Sequence, residues 1–115
     1  AKKLVEACGP VASREILLLG DTLPAQRMYD LGIISRVAEP DDLEAEAQKI
    51  IARLAANAPL SVKAAKLIVN EAVKGAANCD EALCASLVDA CNESDDYIEG
   101  QRAFTEKRKP DFKGR

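Results

Sequence analysis

Carboxylates, thiols and cations are the groups in this chain that could carry chemistry, because it contains no histidine. Without imidazole the commonest general base is missing, and any proton transfer would fall to carboxylates, thiols or lysines. The adjacent pairs Asp41-Asp42 and Asp95-Asp96 stand where helices are expected to begin. Capping and the positive end of the helix dipole account for them without a catalytic role. Four cysteines, Cys8, Cys79, Cys84 and Cys91, lack the Cys-x-x-Cys pairing of zinc sites, so no metal ligand set is expected. Cys84 and Cys91 fall two turns apart on one helix face, too distant for an intrahelical disulfide, and read as small buried hydrophobes in preference to any redox role. There is no Ser/His/Asp set, no Gly-rich phosphate loop and no nucleophile elbow. What stands out is a cationic cluster, Lys107-Arg108-Lys109, close to Phe104 and followed by a tail carrying Phe112. These are the two phenylalanines of the chain.

The elements that position this cluster are helices. Ser94 as N-cap, with Asp95, Asp96 and Glu99 near the positive dipole end, predicts a helix start, and Lys107 to Lys109 with Pro110 predict its end. Upstream, a short helix over 2–8 closes at Gly9, and Pro10 opens a second one running to Leu19. Pro24-Ala25-Gln26 starts a brief helix that ends at Leu31 with Gly32 as a left-handed cap. The segment 33–37 is rich in β-branched residues and reads as one short strand or extended stretch, for which the chain holds no obvious partner. Asp41 with Glu44 predicts the start of an amphipathic helix through Leu43, Ala47, Ile50, Ile51 and Leu54. A second long helix over 60–74 sets Lys63, Lys66, Asn70 and Lys74 on a wet face, opposite Val62, Ala65, Val69 and Val73. That lysine row reads as a solvated face. Asn78 with Glu81 predicts a capping box for a helix over 79–92.

Composition fits this picture. A chain of 115 residues with 48% hydrophobic and 30% charged side chains has the make-up of a soluble globular protein, and its few aromatics favour close-packed helices. The expected fold is mostly α. Sixteen basic and 19 acidic residues give a net charge of -3, without the broad positive face or stacking aromatics that nucleic acid requires. No stretch approaches a membrane span, and the expected location is cytoplasmic. The orphan β-branched segment and the many apolar helix positions suggest a unit that is part of something larger.

In order, Glu15-Ile16-Leu17-Leu18-Leu19-Gly20, Pro24-Ala25-Gln26-Arg27, Leu31-Gly32-Ile33-Ile34-Ser35-Arg36-Val37, Ala55-Ala56-Asn57-Ala58-Pro59-Leu60 with Lys63 and Lys66, Ser94-x-Asp96-x-x-Glu99-Gly100 and Ala103-Phe104-x-Glu106-Lys107-Arg108-Lys109-Pro110-x-Phe112 resemble the C-terminal part of the enoyl-CoA hydratase/isomerase (crotonase) family. The resemblance covers nearly the whole chain. It implies one helical region, residues 1–115, of a larger enzyme acting on acyl-CoA thioesters, with hydration of a 2-enoyl-CoA as the parent reaction. It also implies that the oxyanion-holding amides and catalytic glutamates belong to the region before this one, so the chain alone is expected to be inactive and to contain no catalytic residue. No cofactor is implied beyond the coenzyme A thioester that is itself the substrate. The family's C-terminal helices build a trimer-based homo-oligomer and help to cover the acyl-CoA site. The matching positions are Phe104, whose ring can lie against adenine or pantetheine, and Lys107, whose ammonium can pair with a CoA phosphate. Their spacing of three is expected to put both on one helix face. The chain departs from the commoner family pattern at Cys84, Met28 and Val88, where glutamate, alanine and an aromatic are frequent. A self-associating helical module without catalysis is the alternative.

Overall fold

The computed structural model describes residues 1–115 as helices and connecting segments, with no strand. Six α-helices follow one another: α1 (Lys2–Leu19), α2 (Ala25–Asp30), α3 (Leu43–Ala55), α4 (Pro59–Ala72), α5 (Glu81–Asn92) and α6 (Asp95–Thr105), with a 3-10 turn at Pro40–Asp42 leading into α3. The mostly helical architecture expected from the sequence is the one observed. The chain divides into two compact units, Ala1–Glu46 and Ala47–Arg115, with the division falling inside α3.

In the first unit, α1 is two helices meeting at Gly9. The φ of 75° and ψ of 168° there are open to glycine and strained for any residue with a Cβ. Pro10 begins the second half, where its missing N–H costs no helical bond. Ser13, which is buried, donates from Oγ to the Gly9 carbonyl at 2.7 Å and so satisfies a backbone group released by the bend. Gly32 follows α2 with positive φ, as expected, and Gly20 follows α1 in the same way. Segment 33–37 forms no strand. The N–H groups of Ile33 and Ile34 instead donate to the Met28 carbonyl, at 2.9 and 3.4 Å, and bends run over 33–35. With no neighbouring strand, a β-branched run settles into local turn bonds.

In the second unit α4 packs chiefly on α5, and α5 packs on α6. The lysine row of α4 is exposed, as expected, but so are Val69 and Val73. The buried residues of α4 are Ala64 and Glu71. Glu71 accepts from Lys74 Nζ at 2.5 and 2.6 Å and from the Asp80 N–H at 3.2 Å. These bonds hold the Glu71 carboxyl below its ordinary pKa, and the Glu71 carboxylate raises that of Lys74.

Two caps differ from expectation. Asp80, not Asn78, is the N-cap of α5, its side chain accepting from the Leu83 N–H at 2.9 Å. Asn78 lies on the preceding turn and donates to the Lys74 carbonyl at 3.3 Å. Asp41 falls inside the 3-10 turn, whose N-cap residue, Glu39, makes no side-chain cap bond, so the start of α3 is displaced beyond its expected position.

The buried apolar core is confined to Ala12, Ala64 and Ala103. Larger apolar side chains lie open, among them Val11 at 75% and Leu18 at 80% exposed, with Leu43, Ile51 and Leu54 of the amphipathic α3.

Replacing Asp80 by Ala should lower the stability of the second unit by about 1 kcal/mol in urea unfolding, because one first-turn amide of α5 loses its acceptor. Asn78→Ala should change it by no more than ~0.5 kcal/mol, as for an exposed surface substitution. Equal effects would restore the capping role to Asn78.

Candidate functional site

Of the features singled out at the C-terminal end of the sequence, Phe104 lies on α6 and the cationic cluster lies beyond its end. Ser94 caps this helix as expected: its Oγ accepts from the Tyr97 N–H at 3.1 Å and donates to the Cys91 carbonyl at 2.7 Å. The helix stops at Thr105, four residues before the expected end. The Lys107 N–H donates to the Phe104 carbonyl at 3.2 Å and the Arg108 N–H to the Ala103 carbonyl at 3.0 Å, while Lys107 carries a φ of 53°. This pair of bonds around a left-handed residue is a Schellman closure, here built on lysine in place of glycine. Phe104 and Lys107 therefore do not share a helix face. The first is helical and 87% exposed, and the second lies beyond the last turn.

The tail after Arg108 folds back along α6, held by two carboxylates one turn apart. Asp96, 3% exposed, accepts from the backbone N–H groups of Lys113 at 2.6 Å and Gly114 at 2.8 Å, and its own N–H donates to the Arg115 carbonyl at 3.1 Å. Two successive amides aimed at one anion form a backbone nest, and the position of Asp96 in the first turn of α6 adds the favourable end of the helix dipole. Gly114 makes the approach possible. Its φ is 77°, and a Cβ there would lie 3.4 Å from Pro59 Cβ at the start of α4.

Glu99 completes the clamp. Its carboxylate receives the Arg108 guanidinium as a two-pronged pair, Nη1 to Oε1 at 2.5 Å and Nη2 to Oε2 at 3.0 Å, with Arg102 Nη2 at 2.7 Å and the Asp111 N–H at 2.9 Å. Arg108 also donates from Nε to Glu106 at 2.5 Å. The Arg108 guanidinium first, then the Asp111 amide, hold the Glu99 carboxyl well below the usual carboxylate range, and Glu99 and then Glu106 push Arg108 up. The sequence assigned Asp96 to the helix dipole and Arg108 to the cationic cluster. In the structure both are spent on holding the tail, so the cluster left free to meet an anion is smaller than the sequence suggests.

Between α4, α5, α6 and the tail lies an open groove of about 530 Å³. It is lined by Ala58 and Ser61, by Cys91, by Tyr97, Gly100 and Phe104 along α6, and by Phe112 from the tail. The Phe112 ring sits over Gly100, at a distance that would bring an added Cβ within 3.6 Å of it. Phe104 thus stands on an aromatic groove, whereas Lys107 is not among its lining residues. A groove of this volume and aromatic character suits a flat ring or a thin polar chain. Phe112 stood out in the sequence as the second phenylalanine, but its place in the groove depends on how the tail turns back, and Tyr97 carried no separate signal.

The chain belongs to the enoyl-CoA hydratase/isomerase family, whose model matches residues 1–115. The helices match the helical C-terminal region of the crotonase fold. The chain is 28% identical over 111 residues to crotonyl-CoA hydratase of Syntrophomonas wolfei, covering 96% of this chain and 43% of that protein. It is 32% identical to trans-2-decenoyl-[acyl-carrier-protein] isomerase of Streptococcus mutans, with 97% and 43% covered. Among solved structures, enoyl-CoA hydratase from Bacillus anthracis superposes with a TM-score of 0.91 at 26% identity over 98% of this chain and 44% of that one. The chain thus spans less than half the length of these relatives.

Lys107→Gly should raise stability by about 0.5 kcal/mol in urea unfolding, since relief of a left-handed backbone, ~1 kcal/mol, outweighs the added freedom of glycine when unfolded. The Glu99 clamp should weaken only in acid. A carboxylate whose folded pKa is depressed contributes stability that is complete above its unfolded value of ~4.3 and is lost as pH falls through the folded value. The protection factor of the Asp111 amide should therefore be constant near neutral pH and fall below about pH 4, with Glu99→Gln removing that step.

Proposed function

We propose that this chain is the acyl-CoA-covering and subunit-contacting part of a hydratase/isomerase enzyme, with hydration of a 2-enoyl-CoA as the parent reaction. The observation that carries this reading is the open aromatic groove beneath Phe104, set at the edge of a region whose apolar surface is largely uncovered. In it, the Phe104 ring lies against the adenine or the pantetheine arm of the acyl-CoA. Lys107 stands three residues further on and pairs with a CoA phosphate. Lys107 is exposed beyond the last turn of α6 and outside the groove's lining, which suits a contact with the outer, solvated end of the ligand. A groove of this size takes part of a coenzyme A molecule and leaves the acyl end to another surface.

The chemistry needs donors aimed at the thioester oxygen and a positioned carboxylate for protonation or hydration. Asp96 and Glu99, the most firmly held carboxylates near the groove, are already saturated by the tail's amides and by arginines, which suits a structural duty and leaves neither a free base. Catalytic groups come from the remainder of the enzyme in this reading. The exposed apolar faces, Val11, Leu17 and Leu18 in the first unit and Val69, Ile98 and Phe104 in the second, also support a self-associating helical module that binds no acyl-CoA.

In the complete enzyme, Phe104→Ala should raise KM for an enoyl-CoA about ten-fold, the loss of ~1.4 kcal/mol of ring contact, with kcat nearly unchanged. Lys107→Ala should raise KM several-fold, and the effect should shrink in high salt as a screened phosphate contact would. The purified 115-residue chain should leave crotonyl-CoA unconsumed. Turnover by that chain would overturn the assignment of catalysis to the remainder, and unchanged KM in both variants would favour the interaction module.

A further inference from the structure

One cluster is used by none of this: the cysteines at the start of α5. Because Asp80 is the N-cap, Cys79 holds the position before it and Cys84 the fourth helical position. These are the two places whose side chains meet across a helix start, where a pair of apolar residues ordinarily forms a staple. Here the staple is two thiols. The backbone joining them is held at each step: the Glu81 N–H donates to the Cys79 carbonyl at 3.2 Å, the Cys84 N–H to the Asp80 carbonyl at 3.0 Å, and the Asp80 N–H to Glu71 of α4. Cys79 and Cys84 occupy those two positions, and both are half-buried and free. By contrast, Cys8 is engaged with the Leu4 carbonyl and Ser13, and Cys91 lines the groove.

We propose that Cys79 and Cys84 form a reversible dithiol–disulfide modification site, closed by exchange with a small-molecule disulfide. One thiolate of the pair attacks a sulfur of the small disulfide and expels a thiolate. The second cysteine, once deprotonated, attacks the protein sulfur of the mixed disulfide and expels the other small thiolate. The protein loses two hydrogens and two electrons, and one small disulfide becomes two thiols. Closure ties the connection from α4 to the first turn of α5, the helix on which α4 chiefly packs. Burial first, then Cys79 and the carboxylates of Glu71 and Asp80, push the Cys84 thiol up, and Lys74 faces the same cluster while paired with Glu71. Exchange therefore accelerates as pH rises toward and past the ordinary thiol range.

The test is incubation of the folded 115-residue chain with glutathione disulfide, followed by alkylation and peptide mass analysis. The expected product has lost two hydrogens within the peptide holding residues 79 and 84, forms at least about ten-fold faster than any pairing with Cys8 or Cys91, as proximity requires, and reverts with dithiothreitol. Cys84→Ser should stop at a glutathione adduct on Cys79 with the helical circular dichroism unchanged, and Cys79→Ser should likewise give no internal closure. Stable adducts on both cysteines without closure, both thiols left alkylatable, or pairing with Cys8 or Cys91 at a similar rate would each overturn the proposal.

Discussion

The second unit depends on two carboxylates of α6 that are engaged by the chain's own tail. Asp96 and Glu99 lie one turn apart on α6 and draw residues 108–115 back along it, through backbone amides at Asp96 and through arginines and one amide at Glu99. Buried or nearly buried anions are costly unless their oxygens are hydrogen-bonded, and here each carboxylate oxygen of Asp96 and Glu99 has at least one donor. The tail thereby gains an ordered course without a strand, a helix or much apolar burial of its own. Phe112 reaches its place over Gly100 only because that course is fixed, and the groove is in turn a product of the clamp.

That dependence explains which features could be read from the chain. Interactions among neighbours in sequence were legible: the Gly9-Pro10 break in α1, the left-handed Gly32, the Ser94 cap and the helical content as a whole. Each rests on a residue type whose backbone preference or hydrogen-bonding reach spans four residues or fewer. The misplaced caps are near misses of the same kind, for Asn78 and Asp80 are both good N-caps, and the choice is made by the amide of Asp80 reaching Glu71 nine residues earlier. The early end of α6 belongs here too. Three cations and a proline predict a stop in general terms, but the closing bonds of Lys107 and Arg108 select the residue.

What the sequence could not convey were the pairings across 9 to 18 residues, Glu99 with Arg108 and Asp96 with Gly114. An acidic residue in a first helical turn is explained well enough by the dipole, so nothing in its type hints at a second duty. The exposed valines of α4 teach the converse. Helical periodicity identifies an apolar face, yet whether that face is covered depends on protein that periodicity does not describe. Phe104 shows the same ambiguity, since a largely exposed aromatic on a groove invites a ligand, a partner surface, or both.

The clamp also has a kinetic character. Its partners are separated by only 17 and 18 residues at Asp96, so re-forming it requires closing a short loop, a step on the order of a microsecond or less, and one whose entropy depends weakly on loop length. Opening is the slow direction, because several charge-assisted bonds must part before Phe112 leaves Gly100. A strap with fast return and slow release behaves as a latch that is shut nearly all the time, and a ligand seated in the groove would meet a wall already in position.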